Sequence, residues 1–328
     1  METRRTPAPV QRSRLTHIRR WVVALIGVLI LFYGIAGYLF SASYIGENPR
    51  WRGMNRGPHD FGLKAETVSL RSQDGIALKA WWMPAAGTAR ASVIIAHGVD
   101  HTRQVMLPRA NFLVRGGYNV LALDLRGHGE SAAQYASPGY LEARDILGAI
   151  QYIRSRNEHT PVEVLGVSYG AVAALLAASQ SDDIAAIIAD GAYPTGKDVF
   201  ENINHYFVHS HGSPLWMRGL FGIASFPGVP CAIAVVYYAR TGIWLGSELV
   251  SVLPSASRLR IPVLLISGQR DWIVPTEQAR RVLAALRTDQ KSLVVIPVAV
   301  HDTTYSAAPH VYENAVLTFL GKSISKLN

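Results

Sequence analysis

Val162-Glu163-Val164-Leu165-Gly166-Val167-Ser168-Tyr169-Gly170-Ala171-Val172-Ala173-Ala174-Leu175-Leu176-Ala177-Ala178 reads as a strand, a sharp turn and a helix. The apolar, β-branched run ends at a serine flanked two positions away by Gly166 and Gly170, and an alanine-rich helix begins directly behind it. A turn this tight forces the apical serine into strained backbone geometry. Side chains at the two flanking positions would strike the neighbouring strand and helix, so glycine fills both. The serine hydroxyl is left in front of a helix N-terminus, where negative charge is favoured, and that suits a developing oxyanion. The plain alternative is a glycine-rich strand-to-helix turn with a capping serine.

Working outward from the turn, strands alternate with helices. Thr67, Val68 and Leu70, then Ile76, Leu78, Ala80 and Trp82, alternate with polar residues around Asp74-Gly75, which predicts a β-hairpin. Val93-Ile94-Ile95-Ala96 is a continuous apolar run of the kind buried in a parallel sheet. A helix over Val105–Arg115 ends at Gly116-Gly117, and a strand follows over Asn119–Leu123. The glycine-rich loop Asp124-Leu125-Arg126-Gly127-His128-Gly129-Glu130-Ser131 leads to a helix over Leu141–Arg154. After the serine turn come strands at Ala185–Ala189, Pro262–Ser267 and Leu293–Ile296, with helices at Thr276–Leu286 and Val311–Leu320. This order predicts an α/β protein with a doubly wound, mostly parallel sheet whose strands are each buried on both faces. Ligands of such sheets bind at the carboxyl ends of the strands. His97, Asp124 and Ser168 all fall there.

The alternation stops at about residues 195–257. That stretch carries Phe200, Tyr206, Phe207, Trp216, Phe221, Phe226, Tyr237, Tyr238 and Trp244, and it reads as a helical lid inserted over the active face. Leu220–Leu245 is apolar enough to suggest a second span, against which Pro227, Pro230 and Arg240 weigh. A docking or re-entrant surface and a buried lid helix are the two other readings.

The formal net charge of +9 looks like a nucleic-acid signal until it is located. Residues 1–20 hold Arg4, Arg5, Arg12, Arg14, Arg19 and Arg20 against Glu2 alone, so this tail carries more than half of the excess. No basic stripe with interleaved aromatics follows, which excludes nucleic acid as a partner. The tail runs into Trp21–Phe40, twenty residues without a charge. At about 1.5 Å each these span roughly 30 Å, the thickness of a bilayer core. Trp21, Tyr38 and Tyr44 fit interfacial belts, and the arginines should hold the N-terminus in the cytoplasm. The expected organisation is a basic cytoplasmic tail (1–20), a transmembrane anchor (21–40), a linker (41–64) and a catalytic domain on the extracytoplasmic side (65–328). A cleaved signal peptide ending near Ser41-Ala42-Ser43 is the competing reading. The single cysteine, Cys231, excludes an intramolecular disulfide and any multi-cysteine metal site.

A serine hydroxyl needs a base to take its proton, and the base needs an orienting acid. Asp271 follows the strand Val263-Leu264-Leu265-Ile266, and His301 follows Leu293-Val294-Val295-Ile296, acid before histidine. Asp190, at the end of its own strand, is the reserve acid. The amide of Tyr169 offers one oxyanion donor, and the amide of Val99, in His97-Gly98-Val99, offers the second. His97 is expected to orient its loop rather than do chemistry. His205, His209 and His211 have no accompanying carboxylate cluster and read as polar groups of the lid.

His97-Gly98, the Asp124–Ser131 loop, the Gly166–Gly170 turn, the Asp271 loop and His301 occur in the order found in the α/β-hydrolase superfamily. The chain resembles its membrane-anchored serine hydrolases of the Bem46-like and serine-aminopeptidase-like type over about residue 65 to the C-terminus. The resemblance implies an eight-stranded α/β-hydrolase sheet and ester or thioester hydrolysis, sometimes lysophospholipase, monoacylglycerol lipase or deacylase activity, and the expected reaction is hydrolysis of carboxylic esters of the carboxylesterase or lipase-like kind. It assigns Ser168, Asp271 and His301 as the triad and Val99 and Tyr169 as the oxyanion hole, with no metal or cofactor. The loop after Gly98 departs from the glycine-rich form common in lipases. The expected partners are a small-molecule ester or lipid substrate and the membrane through residues 21–40. A serine peptidase is the enzymatic alternative, and a catalytically silent binding module on the same scaffold is the non-enzymatic one.

Overall fold

Polar and apolar residues alternate on either side of Asp74-Gly75, and this stretch folds as the antiparallel pair β1 (Glu66–Arg71) and β2 (Ala77–Met83). The computed structural model describes residues 9–41, 55–132, 135–210, 212–246 and 248–325. The further strands are β3 (Ser92–Ala96), β4 (Asn119–Leu123), β5 (Val162–Val167), β6 (Ile184–Asp190), β7 (Val263–Gly268) and β8 (Lys291–Ile296). All eight form one sheet in the order β1-β2-β4-β3-β5-β6-β7-β8. β2 pairs antiparallel with β4, and every later pairing is parallel. The helices are α1 (Pro9–Ser41), α2 (Leu107–Arg115), α3 (Glu142–Ser155), α4 (Tyr169–Ala178), α5 (Gly196–His209), α6 (Leu215–Ala224), α7 (Val229–Thr241), α8 (Leu253–Ala256), α9 (Thr276–Ala285), α10 (Thr304–Ala307) and α11 (Pro309–Ile324).

Alternate residues of each strand go to opposite faces of the sheet, and the core divides accordingly. Ile94, Leu121, Val164, Ile187 and Leu265 join the layer built with α3, α4 and α9. Val93, Ile95, Val120, Leu165 and Ile188 join the layer built with α2 and α11. The central strands β3, β4 and β5 are buried at every position. β8 corrects the expectation that each strand is buried on both faces. It has a neighbour on one side only, so Lys291 and Ser292 are exposed and Leu293–Val295 are half-buried. α4 packs deepest of the helices, and its run of alanines lets a helix with no polar face lie close on the sheet.

The lid stretch is helical. Thr195 caps α5, its hydroxyl accepting from the Asp198 amide at 3.0 Å. α6 and α7 meet at a bend of 79°, broken at Pro227-Gly228, where Gly228 has φ +88°. The apolar segment is therefore not one straight span. Ahead of the domain, Thr16–Ser41 of α1 forms 26 residues of mean hydropathy 2.4, a helix long and apolar enough to cross a membrane. α1 begins at Pro9, inside the stretch read as tail. It runs through Ser41, whose neighbours Ala42 and Ser43, like Tyr44, lie outside the described residues. Within the linker, Pro58–Phe61 make a 3-10 turn, and Leu63 is buried against the sheet.

Candidate active site

β5 ends at Val167 and α4 begins at Tyr169, so a single residue, Ser168, makes the whole turn. Its backbone has φ +50° and ψ −111°, strained for any residue with a side chain. A Cβ on Gly166 would lie 2.2 Å from the Gly170 carbonyl oxygen, and one on Gly170 would lie 2.5 Å from that of Ala96. The turn thus excludes side chains at both flanks, on the helix side and on the β3 side. The Ser168 amide donates to the Asp190 carbonyl at 2.6 Å, which ties the turn to β6.

The structure brings Ser168, His301 and Asp271 into one line. Ser168 Oγ is 2.9 Å from His301 Nε2, and His301 Nδ1 is 2.7 Å from Asp271 Oδ2. A carboxylate accepts only, so Nδ1 carries the proton and donates it, which leaves Nε2 as acceptor for the serine hydroxyl. The other carboxylate oxygen, Asp271 Oδ1, accepts from the amides of Ile273 at 2.9 Å and Val274 at 2.8 Å. The loop after β7 therefore fixes the acid by its own backbone. Burial works against a charged imidazole at position 301. The hydrogen bond that His301 donates to Asp271 and the negative charges of Asp302, Asp271 and Asp190 outweigh it, and the pKa of His301 is raised above the ordinary histidine value.

Around this line the other candidate residues take distinct places. Tyr169 opens α4, where first-turn amides have no intrahelical acceptor. The loop after β3 lies over the serine, since a Cβ on Gly98 would be 3.6 Å from Ser168 Cβ. Val99 follows in that loop, and its carbonyl is 2.7 Å from His101 Nδ1. His97 is fully buried. Its Nε2 accepts from the Leu125 amide at 3.1 Å, so its Nδ1 donates to the Gly98 carbonyl at 2.7 Å. Burial holds its pKa well below the ordinary value, so the ring is a neutral strut between two loops. Asp124, although at the same sheet edge, is occupied by Arg103, whose amide and guanidinium both reach it at 2.7 Å. Asp190, the reserve acid, is held by Arg109 at 3.1 Å and by the Thr304 hydroxyl at 2.6 Å. In the lid, His205 and His209 lie ring to ring with centroids 4.2 Å apart, and His211 is outside the described residues.

Sequence reasoning passed over Asp302. Its backbone sits at φ +61°, and its Oδ1 lies 3.6 Å from His301 Nε2 with no hydrogen-bond partner. The same carboxylate faces Gly98, with Oδ2 3.6 Å from where a Cβ would be. A second acid thus stands at the nitrogen that meets the serine. The only signal in the chain was its position next to His301. Asp302→Asn removes a negative charge that favours the imidazolium, so the histidine stays neutral to lower pH. The acid limb of a kcat/KM–pH profile is expected to move down by roughly one unit. An unmoved limb would show that solvent screens this carboxylate.

A doubly wound eight-stranded sheet with a strained serine at the end of β5, and with an acid and a histidine after β7 and β8, defines an α/β-hydrolase. The chain belongs to the family described as serine aminopeptidase, S33, whose model matches residues 87–206 and 238–306, more than half of the chain. It is similar to the protein bem46 of Schizosaccharomyces pombe, 23% identical over 75% of this chain and 74% of that one. An α/β-hydrolase domain-containing protein of Arabidopsis thaliana is 24% identical over 81% of each chain. Among solved structures, an esterase of Pyrococcus furiosus superposes with a TM-score of 0.68 at 26% identity, covering 85% of this chain and 98% of that one. The chain is therefore an α/β-hydrolase of the Bem46-like group.

Proposed function

We propose that this hydrolase is a membrane-anchored serine esterase acting on carboxylic esters with apolar acyl groups. The observation that carries the reading is the unbroken line from Ser168 Oγ through the imidazole to Asp271, at 2.9 and 2.7 Å. In the proposed cycle Ser168 Oγ attacks the ester carbonyl carbon while its proton passes to His301 Nε2. The amides of Tyr169 and Val99 stabilise the resulting oxyanion. When the carbon–oxygen bond to the alcohol breaks, His301 returns the proton to the leaving oxygen. Water, activated by the same imidazole, then hydrolyses the acyl-enzyme. Asp271 holds the tautomer and balances the charge of the imidazolium. A serine at the apex disfavours the chemistries of this fold that need a carboxylate nucleophile.

The apolar-acyl assignment draws support from the aromatic lid and from α1, which we read as a membrane anchor with its N-terminus in the cytoplasm. The esterase structure of Pyrococcus furiosus supports ester over amide chemistry. One observation favours a second reading, a peptidase that takes a free amine. The Asp302 carboxylate beside the serine has the charge to hold an ammonium group, and the family description names aminopeptidases. A panel of p-nitrophenyl esters from acetyl to palmitoyl, run beside aminoacyl naphthylamides, separates the two. The expected result is kcat/KM rising from acetyl to octanoyl with little naphthylamide turnover. A preference for acetyl sinks the apolar-acyl assignment. Faster turnover of the naphthylamides selects the peptidase.

A further inference from the structure

We propose that α6 is a second membrane contact, an interfacial helix lying in the plane of the bilayer with its outward face in the leaflet on the domain side. The partner is the lipid surface itself. The proposal rests on the reading of α1 as a membrane anchor. It does not rest on the roles of the triad.

The seam between α1 and α7 sets the depth. The two helices run side by side in the same direction. The Tyr33 hydroxyl donates to the Pro227 carbonyl at 2.6 Å, and Phe32 meets Phe226 edge-on with centroids 5.6 Å apart. Farther along, a Cβ on Gly37 would lie 2.6 Å from the Ala232 carbonyl oxygen, so this glycine lets the two backbones touch. At the far end, the Arg240 guanidinium lies over the Tyr38 ring at 4.7 Å and reaches the Ser41 hydroxyl at 3.4 Å. Arginine and tyrosine are the side chains that suit a membrane–water boundary, so that boundary falls near Tyr38. At about 1.5 Å per residue, the α6–α7 bend beside Phe32 then lies about 9 Å inside it. The other boundary gives no room to raise the bend. Arg19 and Arg20 are the last charges before the apolar run. From Arg20 to Phe32 the helix rises only about 18 Å, well short of a core of roughly 30 Å.

The composition of the bend suits that depth. No charged residue occurs from Gly219 to Ala239, and Arg218 and Arg240 flank this run. α6 meets α7 at 79°, so it lies across the anchor instead of along it. An interfacial helix has this attitude, with its apolar face about 5–10 Å into the headgroup and acyl boundary. Trp216, Leu220 and Ile223 share one face of α6 by their spacing, and all three are exposed, Trp216 by 67%. Leu215 beside them is 83% exposed. The opposite face is held by α5. Phe207 stacks on Phe221 with centroids 4.6 Å apart, and Arg218 Nε donates to the Val208 carbonyl at 3.1 Å. The one charge of α6 is thereby drawn away from the outward face. α5 in turn stacks Tyr206 on Trp272, the residue after Asp271, with centroids 3.8 Å apart. A single helix thus separates the lipid-facing element from the loop of the acid.

The test uses the full chain in phosphatidylcholine vesicles, spin-labelled at one cysteine at a time. Power saturation reads how far oxygen and a water-soluble nickel chelate reach each label. The native Cys231, exposed in the first turn of α7, takes the first label without any substitution. Cys231→Ser combined with Ile223→Cys, Leu220→Cys or Val28→Cys takes the others. The expected result is a label at position 28 in the bilayer interior, with the labels at 231 and 223 shielded from nickel at depths of about 5–10 Å. The Leu220→Cys chain, labelled on the same face, decides the matter if Ile223→Cys fails to fold. A deep label at 28 with nickel access at 223 overturns the proposal and leaves the anchor standing. Nickel access at 28 removes the anchor, and the proposal falls with it. Dipolar broadening at 223 that disappears on dilution with unlabelled chain assigns the face to a second copy and overturns the proposal as well.

Discussion

Ser168→Ala is expected to abolish fluorophosphonate labelling and to lower kcat/KM for the preferred ester by roughly 10⁴- to 10⁶-fold. The change deletes one oxygen, and that oxygen is the only atom in the line able to attack. Residual turnover would come from the amide donors and from substrate binding. The fold should tolerate the change, since alanine meets the same backbone demand at φ +50° that serine meets. That conformation costs about 1–3 kcal/mol. Ser168→Gly should therefore be both inactive and more stable to urea than wild type, a pairing that separates loss of chemistry from loss of structure. Labelling that persists at another serine in Ser168→Ala would remove this residue from the mechanism. A folded wild type that takes no label and turns over no ester would favour a binding module.

Asp271→Asn should come next in size, at about 10⁴-fold in kcat with little change in KM. The reason is the division of labour between the two carboxylate oxygens. Oδ1 accepts from two amides, and the amide carbonyl of asparagine can keep both contacts. The nitrogen of asparagine then faces His301 Nδ1 and donates to it. The ring must take the opposite tautomer, with a proton on the nitrogen that should receive one from Ser168. The pH profile should change along with the rate, because the hydrogen bond that does most to raise the His301 pKa is gone. Asp271→Ala would leave two buried amides without an acceptor and confound the rate effect with instability, so asparagine is the cleaner probe. A loss of less than ten-fold would mean that Asp302 or another acid supports the imidazole.

The sheet was legible because each of its strands announces itself by composition. Runs such as Val93–Ala96 and Val263–Ile266 have no polar face, and the helices between them keep helical spacing. Ser168, Asp271 and His301 were legible as strand-end positions in the right order, and a parallel sheet gathers such positions at one edge. What composition could not convey is direction and tertiary contact. Asp190 and Asp124 sit at the same edge and look equally available in the chain. They are committed to Arg109 and Arg103, which lie 81 and 21 residues away. Asp302 was hidden because its place depends on one left-handed backbone conformation. β8 was read as buried because its apolar residues resemble those of the central strands, whereas burial follows from having a neighbour on each side. The lid was legible as an aromatic, helical interruption. Its 79° bend and the outward face of α6 were not, since the apolar character of a segment gives no sign of which side chains a neighbouring helix covers.

The seam between α1 and α7, closed at Gly37 with no side chain between the two backbones, has a mechanical meaning. A globular head on a loose tether samples every tilt and can meet substrates arriving from any direction. Here α1 is clamped to α7, within the stretch read as the lid. On the proposed reading of α1 as an anchor, height and tilt above the lipid surface would be set together, and a displacement of α7 would be transmitted to α1.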